Sequence, residues 1–319
     1  MSRTTGLKNV KFAPHAKRMA LALGWRLRAT VTPNLALEQR VKNKTILITG
    51  ASSGIGAQSA RRLAAAGARV VVTARSLDKL NDLVQDINAH GGEAIALRCD
   101  ISDLDDCDRL SNQLIAQAIH IDILINNAGR SIRRSAVNST DRFHDYQRTM
   151  QLNYFGAIRI ALNLIPSMIR QGGGHIINIS TLGVQTGVPR FSAYLGSKFA
   201  LEGWTMAVQN ELSHHGIDFS IINYPLVRTP MIAPTKAYDH APALSQEAAV
   251  AWMCDAIIRR PKRLVPASGV VAQALYQLLP KTTEMAVNIA YQLVPETFAK
   301  ITVLDDERRA RQRIPGKQT

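Results

Sequence analysis

From residue 45 onward, short apolar runs alternate with longer segments of helical period. The runs TILIT (45–49), RVVVTA (69–74), EAIALRC (93–99), DILIN (122–126), HIINIS (175–180) and IDFSIIN (217–223) all have the length of strands. Their nearly continuous Ile, Val and Leu marks strands buried on both faces, as in a parallel sheet covered by helices. Between them, the 3.6-residue period predicts helices near 55–66, 77–90, 103–118, 142–170, 192–214 and 245–259. Repeated βα units of this kind imply an α/β, doubly wound, mostly parallel sheet with a ligand crevice at the carboxyl ends of its strands. Past the last of these helices, VVAQALYQLL and MAVNIAYQLV, punctuated by Pro266, Pro280 and Pro295, predict further helices packed on the core or over a substrate entrance.

Composition divides the chain more sharply than it classifies it. The 319 residues carry a net charge of +15 and are 46% hydrophobic, ample for a full core. Residues 1–44 alone hold ten Lys and Arg against Glu38. We therefore expect three parts: a basic extension (1–44), an α/β domain (45–262) with a substrate lid near 229–245, and a C-terminal helical extension with a charged tail (263–319). Within the extension, HAKRMALALGWRLRAT can form a helix lying on anionic lipid or docked on the protein's own surface; no recognition motif accompanies the charge, so nucleic acid is not an expected partner. No run approaches the roughly 18 apolar residues of a membrane span, and the apolar stretch at 19–25 is a poor signal peptide. Cys99, Cys107 and Cys254 are too scattered for a disulfide framework or a zinc site, so no metal is expected and a reducing, cytoplasmic setting is.

Two stretches carry candidate chemistry. Thr49-Gly50-Ala51-Ser52-Ser53-Gly54-Ile55-Gly56 stands where the first strand turns into the first helix, so its backbone can approach a pyrophosphate and present helix N-terminal N–H groups to it. At the end of the second strand, where an acid would hold ribose hydroxyls, the chain reads Arg75-Ser76; a guanidinium there suits a 2′-phosphate and hence NADP(H). A surface arginine at a helix start is the other reading of Arg75. Asp100, after the third strand, can receive the adenine amine, and Asn127-Ala128-Gly129, after the fourth, can line the crevice. The second stretch is Tyr194-x-x-x-Lys198, a pair on one helix face. Such a pair arises by chance about once in every chain or two of this length, so its meaning depends on order.

That order is specific. The Gly-rich turn, Asn-Asn-Ala-Gly, Asn153 alone in a long helix, hydroxyls ending the fifth strand and then Tyr-x-x-x-Lys follow one another with the spacings of one family. Over residues 45 to about 260 the chain resembles the short-chain dehydrogenase/reductase family, which has a Rossmann fold. The resemblance implies that Tyr194 gives or takes the proton at the substrate oxygen. Lys198 would favour its phenolate, against a free phenol that ionises near 10, and would reach the nicotinamide ribose. It further implies that Asn153 positions a water linking the lysine to solvent and that a strand-end hydroxyl holds the substrate oxygen. Ile101, Val227 and Thr229 would complete the cofactor cleft. The family's hydroxyl lies 13 residues before the tyrosine, which selects Thr181; Ser180, 14 away, is the alternative, and alternation along a strand forbids both from serving equally.

Residues 125–157 and 224–238 go further and are similar to bacterial fatty acyl-CoA reductases that form aldehydes for wax esters. This resemblance implies an NADPH-dependent reduction of long-chain acyl-CoA, with Arg130, Arg133 and Arg134 receiving the phosphates of coenzyme A. A small lipophilic substrate is the expected partner. Peripheral membrane contact through the basic extension and a homo-oligomer, common in the family, are also expected. The alternatives are a reductase of another lipophilic ketone, steroid- or retinoid-like, and a dinucleotide-binding scaffold without turnover.

Overall fold

The computed structural model describes residues 34–233 and 241–292. Of the expected parts, most of the basic extension, residues 234–240 of the lid and the charged tail lie outside them. A short helix α1 (Asn34–Val41) buries Leu37 and Val41 and leads into the alternating units. These are β1 (Thr45–Thr49), α2 (Gly54–Ala64), β2 (Arg69–Ala74), α3 (Leu77–Ala89), β3 (Glu93–Arg98), α4 (Leu104–Ala116) and β4 (Ile123–Asn126). There follow α5 (Phe143–Met150), a π-helical turn (Gln151–Gly156), α6 (Ala157–Arg170), β5 (Gly174–Thr181), the short α7 (Gly183–Thr186), α8 (Ser192–Leu212) and β6 (Ile217–Tyr224). The last described elements are α9 (Gln246–Arg259), β7 (Arg263–Leu264), α10 (Ala267–Leu278) and α11 (Pro280–Gln292).

The strands form one sheet in the order β3-β2-β1-β4-β5-β6-β7, and every pair is parallel. Chain order reverses between β1 and β4, so a crevice opens there at the carboxyl edge. Even in the continuous apolar runs, alternation sorts the side chains. Ile46, Ile48, Val70, Val72, Ile123, Ile125, Ile177 and Ile179 join one core with α1, α2 and α9; Leu47, Val71, Leu124, Ile176 and Phe219 join the other with α4 and α6. Each face is thereby sealed from water, as a sheet without polar alternation requires.

Three features depart from the sequence expectation. The seventh strand, β7, was not expected: two residues between Pro261 and Pro266 carry no readable period, yet they pair with Ile221 and Ile222. The helix expected over 142–170 is helical from Phe143 to Arg170, but with π geometry around Asn153. It is also, among the described residues, the one helix long and apolar enough to cross a membrane. Its apolar face is used differently, since Ile160, Ala161, Leu164 and Met168 pack into the sheet core. Finally, of the two places expected for α10 and α11, the core is not the one they take: among their residues only Gly269 is buried, and Val271, Leu278, Met285 and Ile289 are exposed.

Gly156 ends the π turn against the loop after β3, where an added Cβ would lie 1.8 Å from the Ile101 carbonyl oxygen. Gly203, on the exposed side of α8, has nothing within 4 Å. Gly156→Ala should therefore lower unfolding free energy by about 1–3 kcal/mol, whereas Gly203→Ala should leave it unchanged or raise it by up to about 1 kcal/mol. Urea titration of both variants checks the contrast.

Candidate active site

The carboxyl edge encloses a crevice of about 780 Å³. At its β1 end Gly50 takes φ +67°, and a Cβ there would meet Ala128 Cα at 2.7 Å. A side chain on Gly56 would collide with Gly50 O at 2.6 Å and Asn127 Nδ2 at 2.7 Å. Glycine is thus required for two loops to touch, with Ser53 leading into the N-terminus of α2 beside the crevice. Ser52, Ser53, Gly54, Ile55, Arg75, Ser76, Asp100, Ile101, Asn127, Ala128, Gly129, Val227 and Thr229 all line it; Gly56 lies behind, buried.

One residue that the sequence placed in the glycine-rich stretch without a role of its own organises this end. The buried Thr49 Oγ1 accepts from the backbone N–H groups of Asn127 and Ala128, both at 3.0 Å. Asn127 in turn donates its side-chain amide to Thr49 O at 2.9 Å and Gly50 O at 3.2 Å. The two turns that would flank a dinucleotide are therefore tied to each other. A buried hydroxyl at the last position of a strand facing Asn-Asn-Ala-Gly was the available signal.

Charge in the crevice is unbalanced. Asp100 accepts from Ser102 N at 2.9 Å and Ser102 Oγ at 2.6 Å. Burial pushes its carboxyl up, but the Ser102 hydrogen bonds and the positive Arg75 and Arg98 outweigh this and hold it below the usual range. Burial lowers the Arg130 guanidinium, and repulsion from Arg148 and Arg75 adds to that, against attraction from Asp100 and Asp145. Arg75, Arg130 and Arg148 all line the crevice. Arg133 and Arg134 do not: Arg134 Nε lies 3.3 Å from the buried Asp145, which also pairs with Arg142 and Arg148. The structure thus separates three arginines that the sequence had grouped, and adds Arg148, which four unremarkable residues around it gave no reason to select.

At the other end stand Tyr194, Lys198 and Thr181. Tyr194 and Lys198 lie one turn apart on α8, and Phe191 packs edge-on against the tyrosine ring at 6.4 Å. Lys198 is 3% exposed and donates to Ile179 O at 2.7 Å. Burial holds its amine down to about 8, while the Glu202 carboxylate pulls it up. Asn153 is fully buried; its Oδ1 accepts from Arg130 N at 2.8 Å, and its Nδ2 donates to Arg130 O and Ser197 Oγ, each at 2.9 Å. The side chain is spent on bracing the loop after β4. Ser180 and Thr181 separate as strand alternation demands. Both residues border the crevice, but Ser180 Oγ donates to Glu202 on α8 at 2.5 Å, whereas Thr181 Oγ1 accepts from Gly183 N at 3.1 Å, which leaves its proton uncommitted by that bond.

A doubly wound sheet with a glycine turn at β1, Asn-Asn-Ala-Gly after β4 and Tyr-x-x-x-Lys on α8 defines a nicotinamide-dependent oxidoreductase fold, and the chain belongs to the short-chain dehydrogenase family, whose sequence profile matches residues 44–239. It is 48% identical over 263 residues to a fatty acyl-CoA reductase of Acinetobacter baylyi, covering 82% of this chain and 89% of that one. It is 42% identical over 262 residues to a fatty acyl-CoA reductase of Mycobacterium tuberculosis, covering 80% and 89%. Among solved structures, a metagenomic short-chain oxidoreductase in complex with NADP superposes with a TM-score of 0.61 at 28% identity, covering 71% of this chain and 97% of the other.

Replacing Thr49 by Val removes the acceptor for Ala128 N while preserving shape. We expect a loss of about 2 kcal/mol in urea unfolding, and Thr49→Ser, which keeps the oxygen, should recover most of it.

Proposed function

We propose that the protein is an NADPH-dependent reductase of long-chain fatty acyl-CoA that releases the aldehyde. The observation that carries this is one crevice lined by the guanidinium groups of Arg75, Arg130 and Arg148 together with a tyrosine, a buried lysine and a threonine. Two relatives above 40% identity bear the same activity as their name.

The residues present fit the dinucleotide. Gly50 and Gly56 let the turn after β1 close against Ala128 and Asn127, which shapes the loop beside the crevice, and the N–H groups at the start of α2 meet the charge of a pyrophosphate. Arg75, exposed at the crevice rim, offers a forked contact to a 2′-phosphate, with Ser76 beside it. Bound NADPH supplies the hydride. On the protein's side, Tyr194 and Thr181 hydroxyls meet the negative charge that develops on the thioester oxygen, Tyr194 as the acid. Lys198 carries the neighbouring positive charge. Collapse expels the coenzyme A thiolate and leaves the aldehyde, with no cysteine nucleophile required. Since the Asn153 side chain is occupied, a water relay to Lys198 falls to its main-chain carbonyl, in a π turn where the helical hydrogen-bond ladder is disturbed. Arg130, which lines the crevice where Arg133 and Arg134 do not, supports the reading of an anionic substrate. Assembly into a homo-oligomer, a cytoplasmic location and contact of the basic extension with anionic membrane are parts of the same proposal.

Purified protein with NADPH and palmitoyl-CoA should consume NADPH and release free thiol together. Tyr194→Phe should abolish this, and Thr181→Val should lower kcat by about a hundredfold while Ser180→Ala has a far smaller effect. Oxidation of NADPH by ketones without thiol release would instead identify a reductase of another lipophilic carbonyl.

For the cofactor, Arg75→Ala should raise the KM for NADPH by about tenfold or more while barely changing that for NADH. Equal effects on both would remove the 2′-phosphate role.

A further inference from the structure

Three consecutive residues at the end of β5 are each pinned from a different direction. Ile179 O accepts from Lys198 Nζ at 2.7 Å, Ser180 Oγ donates to Glu202 Oε1 at 2.5 Å, and Thr181 O accepts from Asn223 Nδ2 at 3.1 Å. The last two contacts meet at one carboxylate. Asn223 Nδ2 also donates to Glu202 Oε1 at 2.6 Å, and Arg263 Nη1 donates to Glu202 Oε2 at 2.6 Å and to Asn223 Oδ1 at 2.8 Å. Glu202 is 6% exposed and Asn223 fully buried. Tyr194, Lys198 and Glu202 are spaced four apart on α8, so they form one stripe down the helix face that meets β5 and β6.

Resting on the reading of Tyr194, Lys198 and Thr181 given above, we propose that Glu202, neutralised by Arg263 of β7, is the positioning residue that holds the Thr181 end of β5 in register with the catalytic face of α8. Chemistry explains why a carboxylate is needed. Three donors converge on this side chain, and only a group that accepts at both oxygens satisfies all of them; a glutamine would turn its own N–H₂ toward one donor. The Arg263 guanidinium offsets the cost of burying the charge, and an ion pair in this setting is strongly disrupted when one partner is removed. The two-residue β7, whose side chains contribute little to the core, thereby gains a role: it delivers Arg263.

Charge adds a second consequence. The charged and titratable groups around Lys198 are Tyr194 and Glu202 on its own helix and, beyond Glu202, Arg263 on β7. From β5 it meets the Ile179 carbonyl, while the loop after β4 presents Gly129 and the π turn brings Asn153 beside that loop, both neutral. Glu202 is the one anion among them, and it favours the protonated amine. Its removal should make Lys198 lose its proton at lower pH, which in the direction of reduction moves the alkaline limb of kcat/KM to lower pH as well.

Two variants separate position from charge. Glu202→Gln removes the anion; Glu202→Asp keeps it but withdraws it by one methylene from Ser180 and Asn223. The measurements are thiol-release kinetics, thermal unfolding, and the pH dependence of Lys198 acetylation by acetic anhydride in the cofactor-free protein, followed by mass spectrometry. We expect kcat to fall about tenfold or more in both variants, with the KM for NADPH within about twofold of the parent. The Lys198 labelling midpoint and the alkaline limb should move to lower pH in Glu202→Gln only. An unchanged kcat in folded Glu202→Asp, or an unmoved labelling midpoint in Glu202→Gln, would overturn the proposal. If the glutamine variant does not fold, the aspartate variant decides alone through kcat. Full turnover by Tyr194→Phe would instead strike the underlying catalytic reading, a result that neither Glu202 variant can mimic.

Discussion

All seven strands among the described residues run in one direction, and everything else in the fold depends on that constraint. Parallel pairing requires a crossover after each strand, and the crossovers supply the helices that bury both faces. It also gathers every strand's carboxyl end on one edge. Residues spread along the chain, Gly50, Gly129, Thr181 and Lys198 among them, therefore line one crevice without any contact designed for that purpose alone. The apolar runs supply the free energy of this arrangement, but they leave the loops at the edge free to adopt many shapes.

What restricts those loops is a set of buried polar groups whose partners are specific. Thr49 ties the glycine turn to the Asn127 turn, Asn153 braces Arg130, and Asn126 donates to Asn178, which donates to Thr205 on α8. An apolar contact tolerates sliding; a buried donor left without its acceptor costs about 1–3 kcal/mol, so these groups lock register as well as distance. One such link spans each neighbouring pair of strands from β1 through β4 and β5 to β6: Thr49 with Asn127, Asn126 with Asn178, and Asn223 with Thr181. The site is preorganised because its floor cannot shift without breaking several such bonds together.

This division explains what was legible in the sequence. Strand positions and the crevice's location follow from hydrophobic period, and β1 and β2 coincide with the apolar runs residue for residue. Glycines, Tyr194 and Lys198 were legible because their chemistry demands particular residue types at local spacings. The difference between Ser180 and Thr181 was legible for the same reason: alternation is a local rule, and it gives the two hydroxyls different partners, Glu202 and Gly183. Partnerships across long separations were not legible. Arg134 is tied to Asp145 and Glu202 to Arg263, and nothing in the order of residues announces either pairing. Nor does a period reveal β7, whose two residues are recruited by the edge of an existing sheet.

The crowding of Arg75, Arg130 and Arg148 has the opposite character to the braced floor. Here like charges face one crevice, and although Asp100 and the buried Asp145 offset them, repulsion from Arg148 and Arg75 still acts on Arg130. Such an arrangement lowers the stability of the free protein slightly and is relieved when an anion enters. Under the function proposed above, both ligands are polyanionic, and neither can be replaced by an uncharged analogue without forfeiting that relief. Binding energy gathered at the phosphate end then orients the reacting carbon against Tyr194 and Thr181, at the end of the crevice where the floor is most tightly held. The soft, repulsive rim and the rigid base are two halves of one device: the first draws the ligands in, and the second decides where their reacting atoms stop.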